Sequence, residues 1–506
     1  MYFVKNSMKA HIARWNSSIV LFISLTLLLL VSVLYSGYNY MFDLDEINHL
    51  QRTFFVSIGK IPYIDYYSIY TPLFQWFELP FLWILGHSFV TLFVLRFVML
   101  LFFILRLYLM ARIGMILFGF RTAFVALVLL LWDPYTVFSA MQIRPDALMI
   151  TLVMIGLSLL FQKNSQLPSR RATFLSGLYL STGVLVHLKI LPTVAVSVVF
   201  VLVYLFRLRQ HLRIRIFCAG LIIPVVLFFG ICLLQGNFDA MVQQSLIDPF
   251  STFESLLYPA YVGEFMRPHN FNLFGYPGKP YNWMYLWIFP LVGFAGVYHA
   301  FMTAISNTSQ RIKSHSLQWY LLIGLALSLV LQWLWLFRLN SVFIQYYLPI
   351  SWLFAMFGGF AVVSFFNTLS VYPLVWKSMK FIGGVMLIFF TMFSIGANME
   401  RGKLTGYTDR LDYERLWSIV SEKDSVYPRL LFRDSPHPLS TAQFYPELSE
   451  RVKVRYPTVP QSLENDQTDY LILSYYELDK MGPELRNYVK ANYKKVENES
   501  GLYKRK

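Results

Sequence analysis

The chain has 506 residues, of which 56% are hydrophobic and 14% are charged, and its mean hydropathy is +0.50. Soluble globular chains carry about 25% charged residues, so this composition excludes a water-soluble enzyme and a disordered chain. The formal charge of +15 does not indicate nucleic-acid binding, because the excess of cations lies in the hydrophobic part of the chain. Residues 1–398 hold 25 Lys and Arg against 11 Asp and Glu, whereas residues 399–506 hold 18 against 17. The composition predicts a polytopic membrane protein with a soluble tail.

Eleven stretches have the length and hydrophobicity of a membrane helix, which needs about 20 apolar residues. They lie near 17–38, 88–108, 122–138, 146–162, 172–188, 190–206, 216–234, 284–304, 318–337, 342–364 and 380–398. The positive-inside rule, applied to the Lys and Arg clusters between them, places the N-terminus in the cytoplasm. All 11 acids of the first 398 residues then face the other side. We therefore predict a multi-pass protein of the cell (inner) membrane.

The predicted topology leaves two long segments and the tail outside the cytoplasm. Residues 39–80 and 235–283 are rich in Tyr, Phe, Trp and Pro, which is typical of chain at a membrane interface. Together with the spans they form a first domain, 1–398. The tail, 399–506, combines two helical patterns with an apolar strand-like run at Tyr470–Ser474. We predict that this tail is a small extracytoplasmic α/β domain, with helices over 407–420 and 483–495.

Three carboxylates follow the first predicted span, namely Asp43, Asp45 and Glu46. A carboxylate at this depth can act as a general base on a hydroxyl group that lies within hydrogen-bond reach. Asp45 and His49 are four residues apart, so a helix would place them on one face. That spacing also permits a metal pair. The alternative is an acidic, solvated loop that helps to set the topology.

Several cations face outwards in this topology and are candidates for binding an anion. Arg144 can bind a phosphate with two parallel hydrogen bonds, but an ion pair with Asp146 that caps the following helix is the alternative. Lys189, Arg267 and Arg338 lie on the same side of the membrane, as do Arg52, Lys60 and Lys279. Together they could bind an anionic headgroup, and contact with anionic lipids without catalysis is the alternative for each.

The chain resembles the GT-C glycosyltransferases, in the bacterial branch related to protein O-mannosyltransferases and lipid A aminoarabinose transferases. Four motifs carry the resemblance: Asp45-Glu46 after the first span, the pattern from Gly59 to Leu73 with Pro62-Tyr63 and Tyr70-Thr71-Pro72, Arg144-Pro145-Asp146-Ala147-Leu148, and Tyr346-Tyr347-Leu348-Pro349. About 11 spans, a long first outer loop and an outer C-terminal domain also fit this family. The aminoarabinose transferases carry an arginine after the acid pair, where Asn48 and His49 follow here, which argues against lipid A as the acceptor.

The resemblance implies an inverting hexosyl- or pentosyltransferase of the cell envelope. It would move a monosaccharide from a polyprenyl-phosphate donor to an acceptor hydroxyl on the outer face. Asp45 would take the acceptor proton, and Glu46 would orient the acceptor or a metal. The donor phosphate would be held by Arg144, Lys189, Arg267 and Arg338, and the substrates by His49, Asp65, Tyr70, Asp146, His269 and Tyr346. No cofactor is required, but a divalent metal at Glu46 and His49 stays open.

The acceptor is a glycan, a lipid or a protein in this interpretation, the other partners are membrane lipids, and nucleic acid is not among them. Two alternatives belong to other classes. An O-antigen ligase or polymerase would rely on Arg267 and His269 rather than on Asp45. A non-enzymatic lipid or sugar transporter would place its ionisable groups in the middle of membrane helices, whereas the acids here lie in outer loops.

Overall fold

The computed structural model of the protein describes residues 17–40, 42, 44–132, 141–162, 167–251, 281–305, 316–336, 344–403, 407–428, 430–435, 437–441, 450–473, 482–497, 499 and 501–506. This part of the chain is mostly helical. Long runs of Leu, Ile, Val and Phe favour helices in a membrane, because a helix satisfies all of its backbone polar groups without water.

Thirteen helices are described from the N-terminus to the beginning of the tail. They are α1 (Ser17–Asn39), α2 (Leu44–Ser57), α3 (Leu73–Leu85), α4 (Phe89–Leu117), α5 (Phe120–Trp132), α6 (Pro145–Leu160), α7 (Arg170–Val186), α8 (Leu191–Arg207), α9 (His211–Leu234), α10 (Tyr281–Ile305), α11 (Leu317–Leu336), α12 (Leu348–Leu369) and α13 (Pro373–Gly402). Short helical segments also cover Leu188–Ile190, Phe238–Met241, Val242–Ile247, Asp248–Ser251 and Ile344–Tyr347.

A helix overlaps each of the eleven predicted spans, but these helices differ in length. Among the described residues, six helical segments are long and apolar enough to cross a membrane: Phe89–Leu117, Leu188–Arg207, His211–Leu234, Leu317–Trp335, Leu348–Leu369 and Lys377–Glu400. Shorter apolar helices such as α5, with 13 residues, extend over only about 20 Å at 1.5 Å per residue. The count of about 11 spans therefore stays a prediction.

Glycines bring α7 against α9 closely enough for backbone contact. A Cβ atom on Gly177 would lie 2.5 Å from the carbonyl oxygen of Phe217, and one on Gly220 would lie 2.2 Å from that of Phe174. Small residues allow helices in a membrane to approach in this way. The contact fixes the path of α7, whose end carries the chain into Lys189.

The segment predicted as the first outer loop contains two helices packed on one another. α2 has Asp45 and Glu46 in its first turn, where the helix dipole favours negative charge. α3 has 13 residues, with Pro80 inside it, and is too short to cross a bilayer. Thr53 on α2 donates a hydrogen bond to Glu78 Oε2 on α3 over 2.5 Å, which joins the two helices in the interior.

The tail contains helices and a four-stranded sheet. Its main elements are α14 (Tyr407–Ile419), β1 (Val426–Tyr427), α15 (Val459–Asn465), β2 (Tyr470–Ile472), α16 (Gly482–Asn492), β3 (Tyr493–Lys495) and β4 (Leu502–Arg505), with short turns of helix at Pro438–Thr441 and Glu450–Lys453. The strand order is β1-β2-β4-β3. β1 runs parallel to β2, and β4 runs antiparallel to both β2 and β3. The domain boundary at 398 and the outer location stay predictions.

The prediction of helix over 483–495 was wrong for its last three residues, which form β3. Tyr493 is buried, whereas Lys494 and Lys495 are exposed. These residues pair with β4, with Tyr493 opposite Arg505 and Lys495 opposite Tyr503. Strand pairing with β4, which follows closely in sequence, thus overrides the helical pattern at the end of the helix.

The tail is attached to α2 by a buried glutamine. The amide of Gln51 donates to the carbonyl oxygen of Arg433 over 2.6 Å and accepts from the backbone N–H of Phe432 over 2.8 Å. Next to this contact, Lys60 forms an ion pair with Asp434. The turn at 430–435 therefore holds the helix that carries Asp45.

A buried histidine orders the next stretch of the tail. Nδ1 of His437 accepts from the backbone N–H of Leu439 over 3.0 Å, and Nε2 donates to the carbonyl oxygen of Pro457 over 3.0 Å. The carbonyl oxygen of the next residue, Pro438, accepts a hydrogen bond from the backbone N–H of Tyr67 over 2.8 Å. Burial lowers the pKa of His437 from 6.5 to about 4, because the charged imidazolium loses its hydration.

We expect acid to loosen this stretch. The unfolded chain binds the proton of His437 at a higher pH than the folded chain does. The contribution of His437 to stability is therefore complete above about pH 6.5 and is lost as the pH falls towards 4. Hydrogen exchange of residues 437–441 should accelerate over this range. The variant His437→Asn should lose this part of the pH dependence, and identical pH profiles for the two proteins would contradict the assignment.

Candidate active site

One face of α2 carries four buried polar side chains. Asp45, Asn48, His49 and Arg52 follow the spacing i, i+3, i+4 and i+7 that places residues on one side of a helix. Each of the four is at most 6% exposed. Burial of so many polar groups on one face is costly unless they serve one another or a ligand.

A network of ion pairs, in which carboxylates and cations alternate, extends from this face. Arg144 Nη1 pairs with Asp45 Oδ2, and Arg144 Nε lies 3.6 Å from Asp146 Oδ2. Lys189 Nζ contacts Asp146 Oδ1 at 2.7 Å. The structure thus brings Asp45 together with three predicted site residues that lie between 99 and 144 positions later in the chain.

Local sequence explains how these side chains are presented. Pro145 occupies the first turn of α6, and a proline disfavours helical backbone at the preceding residue. Arg144 is accordingly extended, with φ −139° and ψ 147°, and Asp146 lies in the first turn of the helix. Lys189 belongs to the 3₁₀ turn between α7 and α8, and its carbonyl oxygen accepts a hydrogen bond from Gln332 over 2.9 Å.

Aromatic rings surround the charged groups. The ring of Tyr70 lies 5.1 Å from the imidazole of His49 and 5.2 Å from that of His187. The guanidinium of Arg52 lies over the Tyr70 ring at 5.3 Å, and Lys189 Nζ lies over Tyr346 at 4.5 Å. Rings hold cations by their π faces, so Tyr70 and Tyr346 help to orient Arg52 and Lys189.

The five charged side chains of this cluster carry one more positive than negative charge. Arg52, Arg144 and Lys189 are the cations, and Asp45 and Asp146 are the carboxylates. None of these side chains is more than 9% exposed. An excess charge in a buried site attracts an ion of opposite sign strongly, because little water screens it.

Two titratable neighbours leave this balance unchanged at neutral pH. Burial, reinforced by the charges of Arg52 and Arg144, lowers the pKa of His49 well below its usual value, so this imidazole is neutral. Burial raises the pKa of Glu78 to about 8, so this carboxyl group stays protonated. The cluster therefore suits a singly charged anion.

Glu46 lies apart from this network and forms an ion pair with Arg96 of α4. Arg96 Nε donates to Glu46 Oε1 over 2.9 Å, and Nη2 donates to Oε2 over 2.6 Å. The backbone N–H of Ile143 also donates to Oε1 over 3.0 Å. The pair joins the start of α2 to α4 and to the residue before Arg144, so it supports the geometry of the cluster.

The divalent metal that stays open at Glu46 and His49 is not tested by the structure, in which both side chains have other neighbours. Glu46 is engaged by Arg96, while His49 packs against the rings of Tyr70 and Phe74. Within the described ranges, no three His, Cys, Asp or Glu side chains gather as metal ligands.

Other predicted site residues lie elsewhere. Asp65 is exposed, and its Oδ2 accepts from the backbone N–H of Ile61 over 2.6 Å, so it closes a turn between α2 and α3. Arg267, His269 and Arg338 lie outside the described residues, and their roles stay predictions.

Sequence reasoning missed two residues of the cluster. Arg52 is predicted above only as one of the outward-facing cations, although its spacing of seven from Asp45 in a helix is a usable signal. His187 ends α7 and packs on Tyr70, and a lone histidine at a helix end offers no comparable signal.

Two solved structures resemble most of the chain. ArnT from Cupriavidus metallidurans, bound to undecaprenyl phosphate, has a TM-score of 0.53 and 12% identity, over 84% of this chain and 85% of that one. The oligosaccharyltransferase AglB from Archaeoglobus fulgidus, in complex with an inhibitory peptide and a dolichol-phosphate, has a TM-score of 0.50 and 12% identity, over 90% and 69%. No family model and no curated protein sequence matches. Both structures are GT-C proteins, so the protein has the GT-C fold.

Proposed function

We propose that the protein is an integral-membrane inverting glycosyltransferase. It moves a monosaccharide from a polyprenyl-phosphate donor to an acceptor hydroxyl on the outer face of the membrane. The observation that carries this proposal is the buried cluster in which Asp45 pairs with Arg144, and in which the charged groups together carry an excess of one positive charge. A sugar linked to a lipid through one phosphate is a phosphodiester with one negative charge. The lipid phosphates bound by ArnT and AglB support the same class of donor.

The transfer needs one base and a set of cations. The acceptor hydroxyl oxygen attacks the anomeric carbon of the donor and forms the new C–O bond, while its proton passes to Asp45. The bond from that carbon to the phosphate oxygen breaks, and its electron pair leaves with the polyprenyl phosphate. Because phosphate is a good leaving group, no general acid is required. Arg144, Lys189 and Arg52 stabilise the charge that develops on the phosphate.

The Asp45–Arg144 pair connects donor binding to the base. A carboxylate held by a guanidinium is a weak base, because the cation stabilises its charged form. A bound phosphate competes with Asp45 for Arg144, and the freed carboxylate becomes more basic. The base is thus strongest when the donor is in place, which limits proton uptake in the empty site.

A second candidate function, transport, is favoured by one observation. Arg106 is buried within α4, and among the described residues its Nε and Nη2 atoms have no hydrogen-bond partner. It lines a small cavity with Ser351 and Trp352 of α12. Ionisable groups in the middle of a span often mark a transport path. Movement of a lipid-linked sugar across liposomes without formation of a glycosidic bond would support this alternative.

Binding of undecaprenyl phosphate in lipid nanodiscs tests the proposed anion site. We expect Arg144→Lys, which keeps the charge but loses the forked donor geometry, to weaken binding by about 10-fold. The control Arg170→Lys changes an exposed arginine at the start of α7 and should bind like the wild type. Equal affinity of Arg144→Lys and wild type would contradict the assignment.

A further inference from the structure

Asn48 is a buried amide whose hydrogen-bonding capacity is unused within the described part of the chain. It is 1% exposed, and neither Nδ2 nor Oδ1 has a hydrogen-bond partner among the described residues. One helical position away, Nδ1 of His49 is buried and unpartnered in the same sense. A buried polar group without a partner loses its hydration without compensation, so this part of α2 is unfavourable for the folded chain alone.

The position of Asn48 relates this amide to the reacting groups. Asn48 follows Asp45 by one turn and precedes Arg52 by another, on the same face of α2. The glutamine three positions on, Gln51, is also buried, but both atoms of its amide bind the backbone at Phe432 and Arg433. The helix therefore carries one amide that serves the fold and one that does not.

We propose that Asn48, assisted by His49 Nδ1, binds hydroxyl groups of the donor sugar. This inference rests on the proposed function and names the ligand of one part of that site. An amide offers two N–H donors and one carbonyl acceptor, so a pair of sugar hydroxyls, which both donate and accept, satisfies both ends.

A phosphate does not satisfy this amide as well. Phosphate oxygens accept hydrogen bonds but do not donate, so Oδ1 of Asn48 would stay unsatisfied beside one. The cations Arg52, Arg144 and Lys189 already supply charge for the phosphate. A neutral, bifunctional group between Asp45 and Arg52 complements the hydroxyl groups of the sugar, whose anomeric carbon is bonded to the lipid phosphate.

A substitution with an apolar side chain of similar size tests the proposal in two ways. In Asn48→Leu, the unpartnered amide disappears, so we expect the melting temperature to rise by about 1–4 °C. With the lipid-linked monosaccharide that the wild type uses, kcat/KM should fall about 10- to 100-fold. With the analogue that lacks the contacted hydroxyl, Asn48→Leu and wild type should have equal kcat/KM.

Gln51→Met is the matched control. It removes from the same helix a buried amide that binds the backbone, so we expect a lower melting temperature. The ratio of kcat/KM for the natural (parent) donor to kcat/KM for the analogue without the contacted hydroxyl (the deoxy donor) should stay as in the wild type. A lower melting temperature in Asn48→Leu would overturn the proposal, because it would show that the amide serves the fold. If kcat/KM of Asn48→Leu falls by the same factor with the parent donor and with every deoxy donor, the proposal is overturned as well.

The two measurements separate this inference from the proposed function. Failure of the wild type to turn over any lipid-linked sugar would count against the glycosyltransferase and against a sugar as the ligand. A higher melting temperature in Asn48→Leu does not depend on turnover, and it would still support a polar ligand at this amide. If the wild type turns over a donor, but Asn48→Leu and wild type have equal kcat/KM with that donor, the proposed glycosyltransferase stands and the contact between Asn48 and the sugar is rejected.

Discussion

Asp45→Asn is expected to lower the rate of sugar transfer by about 10²- to 10⁴-fold, the usual contribution of a general base. Asparagine keeps the size of the side chain and an oxygen that can accept a hydrogen bond from Arg144, but it cannot take up the acceptor proton. The affinity for undecaprenyl phosphate should stay the same or increase, because a negative charge beside the phosphate is removed. The loss should therefore fall on kcat.

The control for this variant is Asp239→Asn, which neutralises an exposed carboxylate. It should retain wild-type transfer. Asp45→Asn must elute as a monodisperse protein and unfold at a temperature near that of the wild type for the comparison to hold. If a well-folded Asp45→Asn protein transfers sugar at a rate within a few-fold of the wild type, Asp45 is not the general base.

Arg96→Met is expected to cause a large loss of stability. The substitution leaves Glu46 buried without its cation, and breaking a buried ion pair from one side costs about 3–5 kcal/mol. Both side chains are at most 1% exposed, so water cannot replace the lost contact. Urea unfolding in detergent, followed by tryptophan fluorescence, measures the change.

The double variant Glu46→Met with Arg96→Met should recover much of this loss, because a buried ion pair can be exchanged for apolar packing at little cost. Recovery should be incomplete, since the backbone groups at Tyr40 and Ile143 also lose their partners. The same protein tests the predicted catalytic role of Glu46. Wild-type transfer by the double variant would reject that role, and a folded but inactive double variant would support it.

Sequence alone predicts the local part of the candidate site well. Neighbouring residues show three of its features. These are the acids after the first predicted span, the position of Arg144 before a helix, and the spacing of Asp45 and His49. Helical periodicity also places Arg52 on the face of Asp45. Each of these inferences depends on interactions within a few turns of one helix.

The long-range part of the site could not be predicted in this way. The pairing of Asp45 with Arg144 and of Glu46 with Arg96 depends on how α2, α4 and α6 pack. Nothing in the sequence near Arg96 indicates which acid it meets. The strand at 493–495 was missed for a different reason, because the helical pattern of its own residues does not show that they pair with β4.

The most direct test of the proposed function is the release of free polyprenyl phosphate from a panel of polyprenyl-phosphate monosaccharides. Wild type and Asp45→Asn are compared in lipid nanodiscs, because slow hydrolysis can report on the donor even without the natural acceptor. We expect one donor in the panel to be turned over by the wild type and not by Asp45→Asn. Equal release by both proteins, or failure of the wild type to bind any of these lipids, would contradict the proposed glycosyltransferase.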